Sequence, residues 1–181
     1  MHLVDEKLNL EIRFPTRAEL REVWEVSYRD HLEWMDWNGP YFHDPVFNWV
    51  EFQAKCFPWF AKSRVAVIFI DGHVAGEVSW HYEDGELAQW PEFGICIFDS
   101  AYWSKGYGST AAKLWVDYLF ASQNFRRLGF TTWSGNQRMM LLGERLGFQK
   151  EAQIRQVRFW QGQYYDSVKY GILKKEWQKR P

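Results

Sequence analysis

Two β-rich runs, Arg64–Ile70 and His73–Trp80, are separated only by Asp71-Gly72. A two-residue connection between twisted antiparallel strands needs positive φ, and Asp-Gly is among the strongest signals for it. A third run near Glu92–Phe98 follows the "EDGE" turn at Glu83–Glu86, so the middle of the chain predicts an antiparallel meander. That meander decides how the next stretch is read. "YWSKGYGSTA" (Tyr102–Ala111) contains Gly106-x-Gly108-x-x-Ala111, the spacing of a dinucleotide fingerprint. A dinucleotide loop belongs to a first βαβ unit and needs an acidic residue about twenty positions on. Here the preceding strands are hairpin-linked, and the following strand ends "TTWSG" without a carboxylate. A Walker A loop, G-x-x-x-x-G-K-[ST], is also absent.

A glycine-rich turn between a strand and a helix still aims backbone N–H groups at one spot, where the helix dipole favours an anion. Gly106 and Gly108 let the backbone come close or take positive φ, and Lys105 adds charge at the rim. Taken alone, the glycine pair suits a turn serving chain geometry equally well.

The flanks complete the order of elements. Leu8–Phe14 alternates and predicts a first strand. Thr16-x-x-Glu19 reads as a capping box opening a helix with Leu20, Val23, Trp24 and Ser27 on one face. Asp44 as N-cap and Pro45 at the first helical position predict a second helix to about Ala61. A helix from about Gly108 to Ala121 buries Ala112, Trp115, Val116 and Leu119. A strand at Leu128–Trp133, a helix at Asn136–Leu146 stopped by Gly147, and two strands about the Gln161-Gly162 turn finish the chain. The order βααβββαβαββ predicts an α+β domain around one mixed sheet.

Composition narrows the function. At 181 residues the chain has one domain's length, and no apolar run approaches a bilayer span. The N-terminus lacks an apolar h-region, and Cys56 and Cys96 are isolated thiols; both point to the cytoplasm. Net charge is −1 with no basic stripe, which argues against nucleic acid as a partner. The five histidines lack H-E-x-x-H spacing and no cysteine pair has ligand spacing, so no metal is expected. The 12 tryptophans fit a core and a ring-lined pocket; as a sugar-binding platform they would leave the glycine loop unexplained.

"WSKGYGS" after an apolar strand, Asn136 ahead of a helix ending in Leu146-Gly147-Phe148, and the closing "YYDSVKYGILKKEW" together resemble the GNAT acetyltransferases. "HLEWMDW" and the tail are similar to the branch that acetylates ribosomal-protein N-termini. The resemblance runs from about Leu8 to Trp177. It implies residues 1–181 as a single GNAT domain, with a mixed, mostly antiparallel sheet and helices on both faces.

It further implies acetyl-CoA as acyl donor and a primary amine as acceptor, either a protein N-terminus or a small molecule. Backbone groups of Cys96, Ile97 and Phe98 would pair with pantetheine, and the amides of Ser104, Lys105, Gly106, Tyr107, Gly108 and Ser109 would hold the pyrophosphate. Asn136 would reach pantetheine, cap its helix, or do both. Glu92 in "EFG" is the candidate general base, with Glu77 and Asp99 as alternatives. Where many members carry a serine or tyrosine acid, this chain has Met139 and Gly143, which read as packing. Trp34, Trp37 and Tyr41 are candidates for the acceptor pocket, beside the acidic Glu33, Asp36 and Asp44. A monomer or homodimer is expected, and a non-catalytic acyl-CoA sensor is the competing function.

Overall fold

A computed structural model describes residues 1–180. The chain forms two compact units, the first built from residues 1–36, 44–80 and 94–115, the second from 37–43, 81–93 and the chain from 116 onward.

In the first unit, β1 (His2–Asp5), β2 (Leu10–Arg13), β3 (Val65–Ile70) and β4 (His73–Tyr82, to residue 80 here) run antiparallel in that order. The predicted first strand is therefore β2, and β1 is an additional strand paired to it from His2↔Arg13 to Asp5↔Leu10. Four residues are too few for alternation to declare β1, whose pairing depends on the turn through Asn9 (φ 46°). The Asp71-Gly72 hairpin forms as expected, with φ of 52° and 80°. All six residues of β3 are buried, so both of its faces are covered. Between Ile68↔Gly76 and Phe69↔Val74 the register shifts, leaving Ala75 as a bulge in β4.

Helix α1 (Leu20–Trp24) continues as a π-helical stretch over Glu25–Asp30. The Thr16–Glu19 box is half made. The Glu19 carboxylate accepts from the Thr16 N–H (2.7 Å) and hydroxyl (2.8 Å) and from Arg13, while α1 starts without a side-chain cap. Of its predicted stripe, Leu20, Val23 and Ser27 are buried and Trp24 is partly buried against the core.

Helix α2 (Trp49–Ala61) begins later than Asp44-Pro45 predicts. Asn48 is the N-cap, taking the Val50 and Glu51 N–H groups while Glu51 accepts from the Asn48 N–H. This complete box, four residues nearer the apolar run, outcompetes the Asp-Pro signal. Val23, Trp34, Phe52, Val67, Phe69, Val74 and Phe98 form the core between α1, α2 and the sheet.

In the second unit, β6 (Arg127–Trp133) pairs antiparallel with β8 (Gln163–Leu173), and β8 with β7 (Gln149–Trp160). The start of β5 (Pro91–Ile97) pairs parallel with β6 at Glu92↔Gly129. Helix α4 (Gln137–Arg145) and the short α5 (Lys174–Trp177) complete it, around Phe93, Phe130, Phe148 and Tyr170. Helix α3 (Tyr107–Ser122) runs from one unit into the other, and Ala112, Trp115, Val116 and Leu119 are all fully buried, as the periodicity predicts.

Candidate active site

Within the first unit the second half of β5 lies against β4. The Phe98 N–H donates to the Ala75 carbonyl at 2.9 Å. A Cβ on Gly94 would lie 2.7 Å from Ser79 Oγ, and one on Gly76 would collide with the Cys96 carbonyl oxygen. These contacts fix an antiparallel register that sets Glu77 opposite Cys96. Gly76 is a positioning residue that sequence reasoning missed. Its role is visible only once the partner strand is known, because what excludes a side chain is the backbone of Cys96.

Past Phe98, the Asp99 carboxylate caps a short turn by accepting from the Ala101 N–H (2.7 Å). The Trp103 indole N–H donates to the Ile97 carbonyl at 2.8 Å and ties the loop back to β5. Ser104 (φ 60°) and Gly106 (φ 92°) are both left-handed, and the chain then enters α3, where the Thr110 N–H donates to the Gly106 carbonyl at 3.0 Å. A Cβ on Gly106 would touch nothing within 4 Å, so glycine is required by conformation rather than by crowding. The first turn of α3 carries no acidic residue, so its N–H groups and dipole meet no carboxylate of the helix itself. Cys96, Ile97, Phe98 and Ser104–Ser109 thus follow one another along one strand edge and one helix entrance. That arrangement suits an extended ligand ending in an anion.

Two carboxylates near β5 are withdrawn from water. Glu77 is half-buried on β4, and its burial pushes its carboxyl up to about 7. Glu92, in the second unit, is only 2% exposed, its Oε1 without a hydrogen bond and 3.8 Å from Lys169 Nζ. The same ammonium donates to Glu83 and to the Thr131 hydroxyl, both at 2.9 Å, and lies 5.1 Å from the Trp90 ring. His81, Glu83 and Glu92 bring three ligand atoms within 4.8 Å of one another, but Lys169 is the cation that the two carboxylates face. Asp99, the third carboxylate considered, is engaged in its cap and lies 3.7 Å from His31.

Asn136 is the N-cap of α4, its Oδ1 accepting from the Met139 N–H at 3.0 Å. Its Nδ2 donates to the Trp37 carbonyl at 2.9 Å, an oxygen that also accepts the Trp133 indole N–H at 3.1 Å. Gly143 is buried in contact with Phe130, where any side chain would collide with the ring, so it packs as read. Met139 is half-buried on the same helix.

The acceptor candidates separate. Trp34 is a buried core ring whose N–H donates to the Ser27 carbonyl at 2.8 Å, with its centroid 5.5 Å from Phe98. Trp37 and Tyr41 lie half-buried in the second unit. Arg138 covers the Trp37 ring at 4.4 Å, and Arg158 covers Tyr41 at 5.0 Å. Glu33, Asp36 and Asp44 are exposed.

Residues 9–149 match the acetyltransferase (GNAT) domain family. The chain is 30% identical over 131 residues to the SPbeta prophage-derived uncharacterized N-acetyltransferase YokL of Bacillus subtilis, covering 72% of this chain and 71% of that one. It is 25% identical over 173 residues to the spermidine N(1)-acetyltransferase of Escherichia coli K12, covering 95% and 83%. In fold it is similar to a ribosomal-protein-S5-alanine acetyltransferase from Vibrio fischeri, with a TM-score of 0.75, 16% identity and all of both chains covered. The class these comparisons define is that of the N-acyltransferases. The chain belongs to the GNAT acetyltransferase family. No helix among the described residues is long and apolar enough to cross a membrane.

Proposed function

We propose that residues 1–181 act as one catalytic domain in the cytoplasm, transferring acetyl from acetyl-CoA to a primary amine by direct attack. The observation that carries this reading is the continuous path from Cys96–Phe98 through two left-handed positions into an α3 entrance free of acidic residues. When bound, acetyl-CoA supplies the thioester that the amine attacks. Those backbone groups of Cys96, Ile97 and Phe98 that β4 and Trp103 leave free pair with the pantetheine arm as an added strand, and an N–H among them stabilises the developing oxyanion. Amides of Ser104–Ser109 take the pyrophosphate, and Lys105, exposed at the rim, adds charge. Asn136 keeps hydrogen-bonding capacity beyond its cap and its bond to Trp37.

The acceptor is a peptide α-amine or a polyamine, the two kinds that the relatives' names suggest. Trp37 and Tyr41 supply aromatic contact to it. Release of CoA from acetyl-CoA, followed over a panel of amines that includes spermidine and an alanine-led peptide, tests this function. Tight acetyl-CoA binding without transfer to any amine would favour the sensor reading, which the glycine at 143 supports: with Phe130 against it, no acid can stand there.

A further inference from the structure

A carboxyl in reach can accept the proton that the acceptor ammonium gives up, and two glutamates withdrawn from water compete for that role. Glu92 is sealed from solvent at 2% exposure, and the cation beside it is the chain's own Lys169. Glu77 differs in three respects. It keeps some exposed surface, where Glu92 keeps almost none. Its carboxylate has no hydrogen-bond or ion-pair partner among the described residues. And it stands opposite Cys96, in the same unit as the strand edge and the α3 entrance.

We propose that Glu77, and not Glu92, is the carboxyl that takes the proton from the acceptor ammonium. This rests on the acetyltransferase reading above. The register gives the geometry: paired residues of an antiparallel ladder share a face, so the Glu77 side chain lies beside that of Cys96. The groups facing it are the Tyr28 phenol from the π-helical stretch, the Cys56 thiol from α2 and the Cys96 thiol from β5. Burial raises all three, Cys56 to about 12, so none of them carries charge near neutral pH. Among the described residues no cation holds Glu77 ionised and no donor satisfies it, which leaves it free to cycle.

The protons balance in the following way. The ammonium passes one proton to the Glu77 carboxylate, and the nitrogen lone pair then attacks the thioester carbonyl carbon. As the C–N bond forms and the C–S bond breaks, the nitrogen sheds a second proton, which the CoA thiolate takes up directly or through water. Glu77 returns its proton to solvent, so one proton is released for each acetyl transferred.

The test is a pH profile of kcat for transfer from acetyl-CoA to spermidine and to an alanine-led peptide, for wild type and Glu77→Gln. Wild type should show an acid limb near pH 7. Glu77→Gln should lose that limb and fall about 100-fold or more near neutrality, while its thermal shift with acetyl-CoA stays at the wild-type value. A variant that keeps both limb and rate overturns the proposal. Carboxyl-carbon NMR of the wild-type protein gives a second measurement, independent of folding in the variant and of the acceptor. A Glu77 signal titrating near 7 supports the proposal, and one titrating in the ordinary carboxylate range overturns it. Failure of wild type to bind acetyl-CoA would instead be failure of the acetyltransferase reading.

Discussion

Gly76 on β4 sits so close to the carbonyl oxygen of Cys96 on β5 that a single methyl group could not be placed between them. Cys96 begins the Cys96–Phe98 edge proposed to pair with the pantetheine arm, so the contact sets where that edge lies. Gly76→Ala should cost about 1–3 kcal/mol by overpacking, a Tm lower by roughly 3–10 °C in a chain of this length. Affinity for acetyl-CoA, measured by calorimetry below the new Tm, should fall with it. Unchanged affinity would separate the strand contact from the site.

Gly106 adopts φ 92° with open space where a side chain would start. Gly106→Ala should therefore cost on the order of 1–2 kcal/mol for the left-handed backbone and bind acetyl-CoA more weakly. Gly106→Glu adds a carboxylate at the α3 entrance and should abolish the thermal shift with acetyl-CoA. A Glu variant that stays folded and retains the full shift would move the pyrophosphate elsewhere.

Burial raises Glu77 from a carboxylate's usual range to about 7, so the folded protein holds a proton there that the unfolded chain releases near 4.5. Stability from this group is fully present below about pH 4.5 and declines as pH rises through about 7. Glu77→Gln should accordingly be more stable than wild type at pH 8, by an amount of order 1–3 kcal/mol, and no more stable at pH 4. Paired thermal melts at the two pH values check this. Equal Tm differences at both would show that the carboxyl is not shifted.

Lys169 Nζ lies 3.8 Å from the buried Glu92 Oε1. Lys169→Met would leave a carboxylate in apolar surroundings and should destabilise by about 3 kcal/mol. Adding Glu92→Gln should recover part of that loss in a double-mutant cycle by denaturant unfolding, whereas strict additivity would mean that the two groups do not interact.

Local signals in the sequence carried much of the architecture. Asp71-Gly72 took the φ values it advertised, the α3 stripe is fully buried, and Asn136 caps the helix it precedes. What escaped the sequence depends on partners distant in the chain. β1 is a strand only because β2 pairs with it. Asp44-Pro45 resembles a helix start, yet Asn48 and Glu51 satisfy each other's backbone and capture it. The π-helical stretch from Glu25 carries a local bond, the Ser27 hydroxyl donating to the Val23 carbonyl at 2.7 Å, and a tie to the next turn, the Trp34 indole N–H donating to the Ser27 carbonyl at 2.8 Å. The same holds for the site. The glycine turn into α3 was legible as a turn, whereas the contrast between Glu77 and Glu92 appears only once burial and the Lys169 contact are known.

Binding of acetyl-CoA by the Tyr102–Ala111 loop and the α3 entrance is the proposal on which the function rests. Its most direct test is the Tm of wild-type protein with and without acetyl-CoA. At a ligand concentration a hundred times Kd, binding to the folded state adds about 2.7 kcal/mol, which should raise Tm by roughly 5–10 °C. No shift at saturating acetyl-CoA would contradict the account.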